Sequence, residues 1–397
     1  MDMKWIATQL GIQEYPEELD VLYATLPENP ACDLALIKQL QTEYDIFGEF
    51  YDLILDTAKK VNASPVHSGW VRAAARFSMD GDSTQAYRIP EPAYDGGPMN
   101  DFLLLYVLIP QIPGSIEKYK AMGLDAEQLA DILNAWKSSF RIVQERTGRP
   151  GINKAYYNWM VHFTKARIFK TKGLQFEEKK LPEQAVWIYN AAQGKLLPLM
   201  TGGLFHSSGV QWIGSFGYTD EEDAFTPEFS EDDENFYGHG VFDNVVDTQS
   251  KVYPKKDWTC VGRPGQIALN MHIPRGADIS REATLDACRS ALRLARQYFP
   301  DVTGSLIFCS SWLLNPTLRQ IQGDNSRITQ FMQCYTKYPN RDPAGSAMFG
   351  FVFNRHRPED LTTLPEDTSL RRKLKKLYLE GGCLHSYSGA IYVEEEK

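Results

Sequence analysis

Apolar residues in the C-terminal part of the chain fall into short blocks whose period alternates between strand-like and helix-like. Residues 267–273, Ile-Ala-Leu-Asn-Met-His-Ile, form a compact run of strand length that breaks at Pro274-Arg-Gly276. After a polar turn, residues 280–299 repeat their apolar positions at helical spacing, and residues 304–312 form a second apolar strand. The pattern then predicts a helix over 326–338 and a strand over 348–355. A helix capped by Asp367 or Thr368 follows, with Leu370, Leu374 and Leu377 inward and Gly381-Gly382 at its end, and a closing strand spans 384–393. The first strand, helix and second strand make a βαβ unit. In open sheets, helices that follow strand ends present free N–H groups to the usual ligand crevice, so an anionic cofactor is the first expectation there.

The N-terminal 150 residues read as helices. Ile37, Leu40, Tyr44, Phe47, Tyr51 and Ile54 recur at steps of three and four, which predicts one helical face within 31–61. Turn residues crowd 79–83 and 90–98, and 102–109 is a short buried segment of either type. Asp125 with Gln128 reads as a capping box for a helix whose stripe is Leu129, Ile132, Leu133, Trp136, Phe140 and Val143, stopped by Gly148-Arg-Pro150. A helix over 154–165 runs into a strand-like stretch over 167–180. Residues 182–258 change texture: short strands at 186–189 and 210–214, glycine turns at Gly194 and Gly202-Gly203, then two acidic runs. The expected organisation is a helical domain, 1–150, followed by a mixed α/β (α+β) domain, 151–397.

Composition narrows the function classes. Hydrophobic content of 43% and charged content of 23% are ordinary for a globular protein. With 42 basic and 51 acidic residues, the formal charge of −9 argues against a nucleic-acid binder and favours neutral or cationic substrates. The longest apolar run, 102–110, is about half what a membrane span needs. Residues 1–6 lack a basic region followed by a long apolar stretch, so no secretory signal is expected. The six cysteines contain no CxxC pair and no zinc spacing, which suits buried thiols, no metal and a cytoplasmic location.

His272-Ile-Pro274, Ser311-Trp-Leu-Leu-Asn-Pro316, Asn325-Ser-Arg-Ile328, Phe351-Val-Phe353 and Leu364-Pro-x-x-Thr-Ser-Leu370 together resemble a bacterial acyltransferase family. Its members pair a helical N-acyltransferase N-terminal domain with a C-terminal domain resembling the GNAT acetyltransferases. Gly148-Arg-Pro-Gly-Ile152 and Gly173-Leu-Gln-Phe176 fit the junction between the two. The resemblance implies a GNAT-like mixed sheet flanked by helices, preceded by the helical domain. It also implies acyl-CoA, acetyl-CoA in the simplest case, lying between two splayed parallel strands, 267–273 and 305–312. Arg275, Gly276, Ala277 and Ser280 would then hold the pyrophosphate at the start of the following helix, where unpaired N–H groups and the helix dipole favour an anion. One departure stands out. The GNAT signature Gln/Arg-x-x-Gly-x-Gly/Ala is absent between these strands, and its nearest match, Gln320-Ile-Gln-Gly323-Asp-Asn325, lies after the second strand without the last small residue.

The reaction implied is acyl transfer to a small amine by direct attack. Such a reaction needs a base for the amine, polarisation of the thioester and an acid for the leaving thiolate. His272, at the end of the first strand, is the candidate base; its plainer reading is a histidine bonded to the loop. Tyr335 occupies the place where GNAT enzymes often carry a tyrosine acid; its plainer reading is packing beside Phe331 and Met332. Ser311 and Trp312, with Ser310, end the second strand and either line the acceptor pocket or turn the chain. Cys309 lacks a histidine partner in sequence, and His206-Ser-Ser-Gly209 lacks the nucleophile-elbow pattern. The acidic runs lack EF-hand spacing. The basic run Arg371-Arg-Lys373 with Lys375 and Lys376 reads as a solvated face or a 3′-phosphate contact, and Trp187, Trp212 and Trp258 as core or an aromatic pocket. The competing reading is a GNAT-like domain without CoA activity, serving as a ligand-binding or protein-interaction module. An open gap between the two strands favours the enzyme, and side chains filling it favour the module.

Overall fold

In the computed structural model the described residues are 2–93, 97–210, 212, 224–340 and 347–394. Two compact units divide the chain, Met1–Phe169 and Lys170–Lys397.

The first unit is helical. The predicted capping box forms: Asp125 accepts from the Gln128 amide at 2.8 Å, and the Gln128 side chain accepts from the Asp125 amide at 3.0 Å. Gly148, at φ 77, closes that helix, Ala126–Thr147. The single helix expected within 31–61 is two, Leu34–Tyr44 and Tyr51–Ala63, separated by Asp45 in the left-handed region (φ 48) and a tight turn at Gly48–Phe50. The undecided segment at 102–109 is helical over Leu103–Leu108 and buried on every side, which is why its sequence shows no period. Lysines end several turns here. Lys165 Nζ donates to the carbonyls of Ser78 and Gly81 at 2.7 and 2.9 Å, satisfying groups left over at the end of Pro65–Asp80.

Among the described residues, thirteen strands build two sheets: β1 (Ile168–Thr171), β2 (Leu174–Lys180), β3 (Ala185–Asn190), β4 (Lys195–Met200), β5 (Phe229–Glu231), β6 (Asn235–Phe242), β7 (Val245–Val246), β8 (Lys251–Pro254), β9 (Thr259–Gly262), β10 (Ile267–His272), β11 (Leu306–Ser311), β12 (Thr336–Pro339) and β13 (Tyr387–Tyr392). The first sheet has the order β1-β2-β10-β11-β13-β12, and the second β5-β6-β4-β3-β9, with β7 and β8 both on β6. Strands β10 and β11 pair in parallel, joined by the helix Arg281–Tyr298, and this is the βαβ unit read from the sequence. One face of the first sheet meets the second sheet across a core that includes Trp187, Met200, Phe308, Tyr338 and Ala390. Helix Arg281–Tyr298 buries Thr284, Ala287, Cys288, Ala291, Leu292 and Ala295, and Thr171 Oγ1 bonds the Ala287 carbonyl at 3.0 Å.

Two elements differ from the pattern. The helix expected over 326–338 stops at Met332, and Thr336–Pro339 pairs with β13 as an edge strand. Its alternation, β-branched Thr336 and terminal Pro339 suit an edge strand better than a helix. The strand expected over 348–355 is the helix Ala347–Val352, packed by Met348 and Phe349 against Leu374 and Tyr378. An apolar run that short reads the same in either state. Of the strand expected over 210–214, only Val210 and Trp212 lie within the described residues, and the acidic run 220–223 lies outside them.

Candidate functional site

The site grows from a failure of strand pairing. Strands β10 and β11 are each six residues long, yet they pair only at Leu269–Ile307 and Asn270–Phe308. Their other edges stay paired to the ends: His272 faces Gln175 on β2, and Ser311 faces Tyr387 on β13. Beyond Asn270 and Phe308 the register between the two strands ends, which sets Met271–His272 and Cys309–Ser310 on either side of a wedge.

Alternation along the strands sorts the side chains onto two faces. Asn270 and Phe308 are register partners, so His272 and Ser310, two residues further on, share their face. His272 is one-quarter exposed and Ser310 is exposed. Behind His272, the buried Glu177 carboxylate, 2% exposed, lies 3.1 Å from Nε2, and the Asn270 amide lies 3.0 Å from the same nitrogen. The Glu177 carboxylate and the Asn270 amide thus hold the imidazole ring from one side. Ser310 Oγ bonds Ser388 Oγ at 2.7 Å. A histidine oriented by a carboxylate thus edges the wedge opposite a hydroxyl.

Met271 and Cys309 occupy the other face. The Tyr335 hydroxyl reaches it, 2.9 Å from Met271 Sδ. His272 and Tyr335 therefore border the wedge from opposite sides of the sheet. Tyr335 follows the helix Arg327–Met332 rather than lying on it, and burial pushes its phenol well above the usual range. Cys309 is buried and its thiol is pushed up to about 12, so it carries no appreciable thiolate at neutral pH. Lys337, which the sequence gave no reason to single out, is also buried. Its ammonium donates to the Met332 carbonyl at 3.3 Å, and burial lowers it to about 8.

The loop after β10 leads to the helix start as expected. Gly276 is left-handed (φ 84) with open space where a Cβ would point, and the Ala277 amide closes a turn onto the Pro274 carbonyl at 3.2 Å. Ser280 caps the helix, its hydroxyl accepting from Ala283 at 3.4 Å. The Asp278 carboxylate accepts from the Ser280 amide at 2.9 Å, and that bond holds it below the usual carboxylate range. Arg275 is exposed beside Gly276.

Other candidates are drawn away from the wedge. The Ser311 hydroxyl accepts from the Leu313 amide at 3.1 Å, and Trp312 packs with Leu318, Phe349 and Leu364. Sequence position alone did not separate them from Ser310; the two-residue alternation from Phe308 would have. Glu177 is 95 residues from His272 in the chain, and only the β2–β10 register joins them. The basic run is largely engaged: Arg371 bonds the Val352 carbonyl and Asp367, while Lys375 bonds the carbonyls of Thr362 and Leu364 and the Glu366 carboxylate. Trp187 stacks near Tyr338 in the inter-sheet core, whereas Trp258 packs on Tyr253 in a separate cluster. His206 Nδ1 bonds Ser208 Oγ at 2.9 Å within one exposed turn. Glu231 pairs with Lys255 and Arg263. Among the described residues, no three His, Cys, Asp or Glu side chains have metal-binding geometry, and no helix is long and apolar enough to cross a membrane.

Residues 168–391 match the model of the GNAT-like C-terminal domain. No curated protein matches the chain. Among solved structures, a variant acyltransferase in complex with octanoyl-CoA aligns over 99% of this chain and 100% of its own, with TM-score 0.67 at 16% identity. An acyltransferase in complex with decanoyl-CoA and teicoplanin aligns over the same shares with TM-score 0.64 at 16% identity. One in complex with CoA and 10C-teicoplanin does so with TM-score 0.65 at 17% identity. At these identities the likeness establishes the fold.

Proposed function

Because the chain belongs to the GNAT-like C-terminal domain family, we propose that it is an acyltransferase that passes an acyl group from acyl-CoA to an amine. The observation that carries this reading is the wedge: two parallel strands that part after Asn270 and Phe308 while keeping their outer partners. An extended chain that enters such a gap finds strand backbone without a partner on either side, and pantetheine carries amides able to bond it. The proteins of like fold are named as acyltransferases in complex with octanoyl-CoA or decanoyl-CoA, which extends the donors worth testing beyond acetyl-CoA.

In this reading the donor's pyrophosphate meets the loop of Arg275, Gly276 and Ala277 and the helix start at Ser280. The thioester lies in the wedge. His272 takes the proton of the attacking amine, with Glu177 fixing the ring and stabilising the imidazolium that forms. The amine nitrogen bonds to the acyl carbon, the carbon–sulfur bond breaks, and the CoA thiolate takes a proton. Tyr335, kept protonated by burial, is the donor proposed for it. Ser310 replaces Ser311 and Trp312 as the hydroxyl proposed to meet the reacting groups. The helical residues 1–150 are proposed as the N-acyltransferase-type N-terminal domain and 151–397 as the catalytic one. A cytoplasmic location is proposed with it, in keeping with cysteines that form no CxxC pair in the sequence.

The module reading keeps one specific observation in its favour. The Asp278 carboxylate already occupies the Ser280 amide, where a pyrophosphate would compete with it. Steady-state transfer, followed as thiol release from acetyl-, octanoyl- and decanoyl-CoA with primary amines, tests the proposal. His272→Gln should lower kcat at least 100-fold while the variant still binds acyl-CoA. Equal rates for the two proteins would remove His272 from the chemistry, and no turnover with any donor would favour the module.

A further inference from the structure

A second hollow opens at the same end of the first sheet, on the far side of β11 from β10. Ser311, the last residue of β11, pairs with Tyr387, the first of β13, and the cleft begins there. It measures about 490 Å³, within the range of small-molecule sites. Its polar lining includes Asp243, Asn244, Asn315, Thr317, Gln320, His385 and Tyr387, with no lysine or arginine among the described lining residues.

The walls are fixed by the fold. Asn315, 1% exposed, donates to the His385 carbonyl at 2.9 Å and accepts from the Thr317 amide at 2.9 Å, so it ties the segment after β11 to the segment before β13. The rings of His385 and Tyr387 stack, with centroids 5.3 Å apart and planes at 27°. Asp243 and Asn244 form the two-residue turn between β6 and β7, both left-handed (φ 50 and 68), with Phe242 and Val245 paired on either side. Left-handed values at both central positions define a type I′ turn, whose twist matches the flanking strands and leaves it little freedom. A carboxylate is thus presented, exposed and rigidly mounted, on the rim of a hydrogen-bonding cleft with a flat aromatic side.

We propose that this cleft holds the body of the acyl acceptor: a cationic amine on a polar, hydrogen-bonding frame, whose ammonium charge is met by Asp243. The inference rests on the acyltransferase reading and adds the place and charge of the acceptor. Opposite charge at the rim, with no lysine or arginine among the described lining residues, favours ammonium and disfavours carboxylated acceptors. The protein's formal charge of −9 steers in the same sense. Displaced from His272 across β11, the cleft suits a non-reacting ammonium of an acceptor whose second amine reaches His272.

The test uses the full chain and two readings of thermal midpoint. Acyl-CoA is titrated alone; then spermidine, putrescine and 1,3-diamino-2-propanol, each with its fully N-acetylated counterpart, are titrated onto protein saturated with CoA. The expected result is stabilisation by at least one free amine, at least tenfold weaker binding of its neutral counterpart, and at least tenfold weaker binding to Asp243→Asn. Asp243→Glu should recover part of the loss, and the response to acyl-CoA alone should stay as in the parent. If acyl-CoA binds but no free amine does, or Asp243→Asn binds amines as the parent does, the acceptor assignment is overturned while the acyltransferase reading stands. If acyl-CoA itself does not bind, the acyltransferase reading fails and this inference with it.

Discussion

Lys337 shows how far surroundings alter a residue's chemistry. Its side chain is 9% exposed on an edge strand, no ion pair is recorded for it among the described residues, and desolvation alone lowers it from 10.5 to about 8. A lysine whose folded pKa is depressed binds protons less readily in the native state. It therefore weakens folding fully below pH 8, and the penalty fades as pH rises from about 8 to 10.5. Lys337→Met should raise stability at pH 7 by about 2 kcal/mol, from a shift worth about 3 offset by about 1 for the Met332 carbonyl left without its donor. Urea melts at pH 7 and pH 10 check both the sign and the shrinking gain. A loss at pH 7 would mean that the ammonium stabilises the fold instead. Glu177 makes a different claim. Glu177→Gln keeps the shape and removes the charge opposite His272, so kcat should fall at least tenfold with the acyl-CoA KM nearly unchanged. A rise in KM with kcat preserved would assign Glu177 to donor binding instead.

Elements with strong punctuation were legible in the sequence, and weakly marked ones were not. The strand 267–273, the helix 280–299 and the strand 304–312 each ended in a proline, a cap or a glycine, and β10, Arg281–Tyr298 and β11 lie where those signals put them. The capping box at Asp125 formed as written, and Asp125→Ala should cost about 1 kcal/mol of stability, read from the urea midpoint. The helix at Ala347–Val352 was hidden because a six-residue apolar run carries too few positions to reveal a period, and the strand at Thr336–Pro339 because its four residues follow a helix closely enough to read as its continuation. Tertiary packing chose their state. Gly389 shows such packing at close range. A Cβ there would come within 2.9 Å of Lys337 Cβ and 3.0 Å of the Thr336 carbonyl, where β12 crosses β13. Gly389→Ala should therefore lower stability by about 1–3 kcal/mol. An unchanged thermal midpoint would mean that the edge strand yields freely.

At the scale of the whole chain, the family match covers 168–391 while the fold likeness runs over 99% of the length at 16–17% identity. Fold and sequence have separated widely, so the site has to be argued from its own geometry. The wedge could be anticipated from the resemblance, but its faces could not. Which side chain of Ser310, Ser311 and Trp312 meets His272 depends on the β10–β11 register, and Glu177 is joined to His272 only by antiparallel pairing across 95 residues. Pairings between distant segments leave no local periodicity to read. The central claim is that this gap is the seat of acyl-CoA, and it is tested most directly by thermal unfolding with CoA, acetyl-CoA, octanoyl-CoA and decanoyl-CoA. The parent protein and Ser310→Trp, in which a bulky ring is set into the wedge, are compared. Ligand at 100 times its dissociation constant adds about 2.7 kcal/mol, a readily measured rise in midpoint. The account predicts that rise in the parent for at least one acyl-CoA, and its loss in a Ser310→Trp variant that melts near the ligand-free parent. No rise with any of the four, or an equal rise in the variant, would contradict it.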